Sequence, residues 1–283
     1  MTKKIFLLFI LFLLSFSYLN CSGKSKNFPE QNLSLFVITE DLEVGENRVA
    51  LTVIDLEGQS ISKNLSFFYK KINNETKFAI KDLAISDWPS KRHVFIAKVN
   101  FEESGFWEII VESNKGNGIA TVDIKNKSKT LSVGDKISSI KTPSINDFDI
   151  SEISTDIKPD PNLYKFDLKT ALLKKQPIII SFSTPGLCVT GTCSPQLDQI
   201  KKISNTHSGE VIVIHVEVWK NFKEIMKEGN LSVGILNDSV KMLNIETEPW
   251  TFLIDKNGIV RNRYQGFVHF SELEKNLVEL SNH

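Results

Sequence analysis

The first half of the chain carries short stretches in which apolar and polar residues alternate, and the second half carries unbroken apolar stretches separated by helix-spaced ones. Runs rich in β-branched and aromatic residues fall at 33–38, 48–54, 65–69, 93–99, 106–111 and 119–124. In the second of these, Val49, Leu51 and Val53 alternate with Ala50, Thr52 and Ile54, the period-two pattern of a strand. Glu57-Gly58, Ser104-Gly105 and Gly116-Asn117-Gly118 separate the runs as turns do. Strands at this spacing predict an all-β sandwich of immunoglobulin type over residues 31–127. The stretch holds no cysteine, so its core must form without an inter-sheet disulfide, and Trp107 is expected to fill that core.

Lysine, serine, aspartate and proline dominate residues 126–161, where Pro143, Pro159 and Pro161 block long helices and central strands. A domain boundary is expected near 130, with an α/β domain over 131–283. Residues 167–174 have helix spacing, and 178–182 form a continuous apolar run, as a strand covered on both faces requires. Leu197, Ile200 and Ile203 mark one helical face, and 211–218 reads as a second buried strand. Residues 222–226 and 239–245 are helical candidates, while 251–255 and 259–264 pair through a Lys256-Asn257-Gly258 turn. A last helix over 270–280 places Leu273, Leu277 and Leu280 on one face, with Ser271 and Glu274 as a capping box. Strand, helix, strand, helix, hairpin, helix is a thioredoxin-like order.

The N-terminus sets the compartment. Lys3 and Lys4 precede an apolar run of 15 residues, 5–19, broken only by Ser15 and Ser17. This is shorter than the roughly 20 residues a membrane-spanning helix needs, so residues 1–20 read as a secretory signal peptide. Cys21 follows directly, and 21–30 reads as a polar tether. The junction resembles that of bacterial lipoproteins, with Cys21 at the acylated position, although Tyr18, Leu19 and Asn20 depart from the usual box. That resemblance implies a lipid-anchored protein of the cell envelope; ordinary cleavage with a free Cys21 is the alternative. The 34 basic and 34 acidic side chains balance, and loss of the leader removes two lysines, so no nucleic-acid footprint remains. Of the three cysteines, Cys188 and Cys193 are then left as an even pair in an oxidising compartment.

Their spacing constrains the backbone. In one continuous α-helix, five residues would separate the two Cα atoms by ~8 Å, beyond the ~4.4–6.8 Å a disulfide accepts. The segment Val189-Thr190-Gly191-Thr192 must therefore be a loop, and Ser194-Pro195 is expected to start the next helix as N-cap and first residue. Both sulfurs would lie near a helix N-terminus, which favours thiolate. No Lys, Arg or His occurs between Thr184 and Gln199, so this dipole is the local source of activation.

Two sets of motifs carry family resemblances. Val44-Gly45-Glu46-Asn47-Arg48 with Phe101 to Trp107 resembles small extracytoplasmic β-sandwich modules of the YtkA-like kind, which implies a spacer or docking role. Phe182-Ser183-Thr184-Pro185-Gly186-Leu187-Cys188 with Cys193, followed by Glu248-Pro249-Trp250-Thr251-Phe252-Leu253-Ile254-Asp255, resembles membrane-anchored thiol-disulfide oxidoreductases of the TlpA kind. That resemblance implies a cis-Pro249 facing the cysteines, with Glu248 and Trp250 flanking a substrate groove. It also implies Cys188 as the attacking thiol, Cys193 as the resolving one, protein thiol or disulfide clients, a further redox partner, and no cofactor or metal. The dipole taken alone would favour Cys193 as the attacker. The family's Cys-x-x-Cys preceded by Trp is replaced here by Cys-x4-Cys preceded by Leu187.

Two other readings compete. Cys-x4-Cys spacing also resembles peroxiredoxin Q, a peroxide reductase, but Thr184 lies four residues before Cys188 instead of three, and Pro249 stands where that family has an arginine. A structural disulfide on a non-catalytic lipoprotein scaffold is the third reading. A metallochaperone would need a histidine near Pro249, whereas His215 falls in a buried strand pattern, His207 in a polar loop and His269 ahead of a helix.

Overall fold

A computed structural model describes residues 32–89, 92–189 and 191–281. The expected leader 1–20, the tether 21–30 and Cys21 lie outside the described residues, which belong to one compact unit. Among the described residues no helix is long and apolar enough to cross a membrane.

The N-terminal part is β-rich. Its strands are β1 (Leu33–Val37), β2 (Leu42–Glu43), β3 (Gly45–Asp55), β4 (Ser66–Lys71), β5 (Phe78–Ala79), β6 (Ala84–Trp88), β7 (Arg92–Phe101), β8 (Gly105–Ser113) and β9 (Gly116–Lys125). They form two sheets, β1-β3-β7-β6 and β2-β9-β8-β4-β5. Period-two alternation sends Val49, Leu51 and Val53 of β3 into one core with Phe67, Trp107, Ile109 and Val111 of the other sheet. The opposite face of β3 is also closed, with Ala50 fully buried and Thr52 4% exposed, its hydroxyl donating to His93 O. Trp107 fills the core as expected: it meets Phe101 edge-on at 5.3 Å, stacks on Tyr69 at 5.8 Å, and its Nε1 donates to Glu103 O. The sequence pattern missed β2 and β5, which are two residues each, and β6, an edge strand with no buried residue to mark its period.

The C-terminal part contains α1 (Ile150–Ile153), α2 (Leu168–Leu173), β10 (Ile178–Phe182), α3 (Cys193–Thr206), β11 (Ile212–Val216), α4 (Phe222–Glu228), α5 (Asp238–Met242), β12 (Trp250–Ile254), β13 (Val260–Gln265) and α6 (Phe270–Ser281). The sheet order is β11-β10-β12-β13, with β11 parallel to β10 and the other pairs antiparallel. Every residue of β10, β11 and β12 is buried, which explains their largely apolar runs, and the one polar residue in each, Ser181, His215 and Thr251, is hydrogen-bonded. Ile178, Ile180 and Phe182 face a core shared with α2 and α5, whereas Ile179 faces Leu197, Ile200 and Ile203 of α3 and Leu273 and Leu277 of α6. The fully buried Gln196 joins these layers, accepting from Val268 N and donating to Thr251 Oγ1.

Three local expectations are corrected. Helix α3 starts at Cys193 with Thr192 as its cap, so Ser194 and Pro195 are its second and third residues. A missing N–H is tolerated throughout a first turn, and the Ser194 hydroxyl turns to Pro185 O instead. At α6 the expected capping box of Ser271 and Glu274 does not form: His269 Nδ1 accepts from Ser271 N, and Glu274 turns to His207. Helix α5 stops at Met242, short of the expected 245, because Asn244 takes φ +50° in the left-handed region.

The two parts meet along β13. Gln265 Oε1 accepts from Glu40 N and Asp41 N, Arg48 makes a two-pronged ion pair with Glu272, and Trp88 packs edge-on against Phe267 at 5.5 Å. The free edge of β13 is itself covered by the preceding chain, where Gly134 N donates to Val260 O and Val260 N to Asp135 O.

Candidate redox site

The site is built where β10 ends. Its last residue, Phe182, hands the chain to Ser183 and Thr184, both fully buried, and then to a 3-10 turn, Pro185–Leu187, that leads into Cys188. A Cβ on Gly186 would lie 2.8 Å from Thr155 Cβ, so only glycine lets the turn pack this closely. Gly191, at φ +69°, supplies the reversal that brings Cys193 back.

Cys188 and Cys193 form a disulfide with their Cα atoms 6.0 Å apart, which a loop achieves and a helix would not. Cys193 is the first residue of α3 and has no exposed surface, while Cys188 is half-buried. Cys193 N donates to Cys188 Sγ at 3.3 Å. One of the free amides of the helix N-terminus is therefore aimed at the outer sulfur, which changes the dipole argument: the dipole favours negative charge on Cys188.

The peptide between Glu248 and Pro249 is cis. Pro249 is buried, and its carbonyl accepts from Gly266 N at 2.8 Å, fastening this loop to the chain leaving β13. Trp250 opens β12, pairs in register with Phe182 at the end of β10, stacks on Phe252, and donates from Nε1 to Thr247 Oγ1. Glu248 Oε2 accepts from Thr184 N at 2.5 Å, so the cis peptide and the cysteine turn are joined directly. Burial pushes the Glu248 carboxyl up to about 7 against the pull of its bonds to Thr184.

Sequence reasoning passed over Glu217. It follows β11, is 3% exposed, and accepts from Thr155 N at 2.6 Å and from the Thr155 hydroxyl. Burial pushes it up to about 8, and the charge of Glu248 adds to that rise. The signal was present as a lone acid inside the apolar stretch 211–218. His215, one of the histidines weighed as a ligand, is buried on β11 between the Tyr164 hydroxyl at 2.7 Å and the Ser183 hydroxyl at 2.9 Å. Burial lowers it to about 4, so it is neutral at ordinary pH. His207 ends α3 between Glu210 and Glu274, and His93 lies on β7, paired in register with Asp87 of the edge strand β6.

Among curated proteins, none matches the chain. Among solved structures, a putative thiol:disulfide interchange protein DsbE from Chlorobium tepidum is 16% identical, covering 53% of this chain and 99% of its own, with a TM-score of 0.38. StoA from Bacillus subtilis is 22% identical over 36% of this chain and 82% of its own, at a TM-score of 0.27. The exposed lipoprotein thioredoxin of Streptococcus pneumoniae is 21% identical over 38% of this chain and 87% of its own, at 0.30. A family model described as a thioredoxin-like domain matches residues 164–281, so the part of the chain that carries both cysteines and the cis-proline is a thioredoxin-like domain.

Proposed function

We propose that the protein is a thiol-disulfide oxidoreductase of the bacterial envelope that exchanges its Cys188–Cys193 dithiol or disulfide with client proteins. The observation that carries the reading is the pair itself: a disulfide at the tip of a buried strand, its outer sulfur half-buried and facing a helix amide, its inner sulfur fully enclosed. Cys188 as thiolate attacks one sulfur of a client disulfide and forms a mixed disulfide, and the departing client thiolate takes a proton from water. Cys193, having lost its proton, attacks Cys188 Sγ and releases the second client thiolate, which is protonated in turn. Two electrons and two protons pass to the client, and the Cys188–Cys193 bond is remade. The reverse sequence oxidises a client dithiol.

The cis-Pro249 loop, with Glu248, forms the wall against which a client chain lies; Trp250, expected to flank the groove, is 2% exposed and stacked on Phe252, so it backs the loop from the core instead. Cys21 carries the lipid that holds the protein on a membrane. Residues 31–127 form an immunoglobulin-type sandwich whose two sheets share a single core, and this module acts as a spacer or docking domain joined to residues 131–283.

The test uses the form lacking the leader, residues 22–283. In glutathione buffers the bond should equilibrate at a potential above roughly −300 mV, the range of inert structural disulfides lying below it. Cys193→Ser should trap mixed disulfides through Cys188. Trapping only by Cys188→Ser would reverse the roles, and peroxide turnover faster than disulfide turnover would replace the reading with a peroxidase.

A further inference from the structure

Strand β6 is an open edge. Among the described residues it pairs only with β7, in the register Ile85 with Phe95 and Asp87 with His93. His93 turns its own backbone the other way: its N–H donates to Ser60 Oγ and its carbonyl accepts from the Thr52 hydroxyl, both on the β3 side. Residues of an antiparallel strand address their two neighbours alternately, so Asp87, opposite His93, and Ile85, two residues earlier, point their N–H and C=O groups outward, away from β7. The other edges are closed or short. A Cβ on Gly118 of β9 would meet Leu33 O of β1 at 2.6 Å, β2 and β5 have two residues each, β11 is buried throughout, and the chain at Gly134 and Asp135 closes β13.

Sheets commonly guard a free edge with lysine, proline or a covering segment. Strand β6, Ala84-Ile85-Ser86-Asp87-Trp88, contains no lysine or proline. On the face shared by Ile85 and Asp87 it offers an isoleucine 54% exposed and a carboxylate whose side chain is 86% exposed, with His93 at 3.2 Å from the carboxylate. The edge also leads to the site. Its last residue, Trp88, belongs to the contact between the two parts of the chain, 5.5 Å from Phe267, and a Cβ on Gly266 would lie 3.3 Å from the Trp88 ring. Gly266 N in turn donates to Pro249 O at 2.8 Å. A chain laid along β6 therefore arrives at the cis-Pro249 loop.

We propose that β6 is a client-docking edge: an extended segment of a client polypeptide adds to it as a further strand, bonded to the backbone of Ile85 and Asp87, while the client's cysteine lies at Cys188. This rests on the thiol–disulfide reading above and names the class of client. It is a chain with an unfolded segment near its cysteine, carrying an apolar side chain for Ile85 and a lysine or arginine for Asp87. Main-chain bonds supply the affinity, and the alternate side chains supply the selection. A second copy of this protein fits the edge less well, since it would bring a second Asp87 into the same short ladder, where a basic client neutralises the first.

The probe is a fluorescein-labelled peptide of alternating valine and lysine with a capped cysteine near one end, about 14 residues long and so roughly 45 Å when extended. A second peptide has glutamate in place of lysine. Binding to the oxidised protein lacking its leader is read by fluorescence anisotropy, with no thiol chemistry involved. Ile85→Pro removes an outward donor and leaves the β6–β7 ladder intact, because that N–H is not part of it. It should weaken the lysine peptide about fivefold, the loss of one hydrogen bond, and leave exchange with glutathione disulfide, which is too short to reach β6, unchanged. Asp87→Lys should weaken the lysine peptide and tighten the glutamate one. Affinities equal to wild type in both variants, or changes that ignore the charge of the peptide, would overturn the proposal. So would a wild-type dimer in sedimentation that Ile85→Pro converts to monomer, which gives the edge to a second copy. If Ile85→Pro does not fold, Asp87→Lys carries the test with both peptides. Exchange with glutathione but unmoved peptide binding sinks the docking edge only, and shifted binding with no exchange sinks the functional reading only.

Discussion

The guanidinium of Arg263 lies over the indole of Trp250, 5.0 Å from the ring centroid. Arg263 stands on β13, yet its nitrogens reach out of the thioredoxin-like domain to Asp41 at 2.8 Å and Glu43 at 3.5 Å. Gln265, two residues on, accepts from the backbone of Glu40 and Asp41 and donates to Thr247 Oγ1, the atom that also receives Trp250 Nε1. The N-terminal sheets are thus connected through two side chains to the loop that carries the cis peptide, which gives them a structural part in the site beyond spacing.

Arg263→Ala tests that connection. It leaves Asp41 and Glu43, both largely enclosed, with Lys125 at 3.6 Å from Asp41 as the nearest remaining cation. Breaking such a pair strands charge away from water, and the expected loss is about 3 kcal/mol. The urea midpoint reads it, and Trp250 emission should shift as the ring loses its cover. A midpoint within ~0.5 kcal/mol of wild type, as for an ordinary surface substitution, would mean the contact carries nothing.

Gly186→Ala addresses the cysteine turn. The added methyl would meet Thr155 Cβ at 2.8 Å and Thr155 Oγ1 at 3.2 Å, so Thr155 must move and its bond to Gly186 N is disturbed. Because the turn is near the surface and the core is untouched, the melting temperature should change little. Disulfide exchange should slow about tenfold, the cost of displacing a reacting group. A full exchange rate in this variant would show that the turn need not be held so closely.

Much of this architecture was legible in the residues, and the failures have physical causes. The run 178–182 announced β10 because a strand covered on both faces is apolar almost throughout, its one polar residue, Ser181, being satisfied by Thr251, and the Cys-x4-Cys spacing dictated a loop because a helix cannot bring the two Cα atoms to 6.0 Å. Cap positions were less legible: Ser271 and Glu274 fit a local rule, but His269 and His207, brought in by tertiary packing, offered stronger partners. The carboxylate pair was half visible. Glu248 came with the proline motif, whereas Glu217 reaches the cysteine turn through Thr155, 62 positions away, which no periodicity connects.

His207 provides a pH-dependent clasp between α3 and α6. Its Nδ1 lies 2.9 Å from Glu210 and its Nε2 3.3 Å from Glu274, and the bond to Glu210 leads in raising its pKa above the ordinary 6.5. A base raised by folding contributes stability that is complete below about 6.5 and disappears as pH climbs through the folded value. Glu274→Gln should lessen the fall in urea midpoint between pH 6 and pH 8. An unchanged slope would assign the clasp to Glu210 alone.

Glu217 should impose a pH trend of its own. Its carboxyl ionises near 4.5 in the unfolded chain and is pushed up to about 8 by burial in the folded one, so the native state keeps a proton that the unfolded state has released. Stability must therefore decline as pH rises from about 4.5 towards 8. His215 acts at the other end: lowered to about 4 by burial, it stays neutral in the fold while the unfolded chain takes up a proton below 6.5, so its contribution is lost as pH falls from 6.5 through 4. Replacing Glu217 with Gln removes the first trend and leaves the second. Urea midpoints at pH 5, 7 and 9 should fall less steeply for Glu217→Gln than for wild type above pH 5, while the loss between pH 6 and pH 4 persists in both. Parallel curves across the whole range would show that Glu217 enters the fold already ionised.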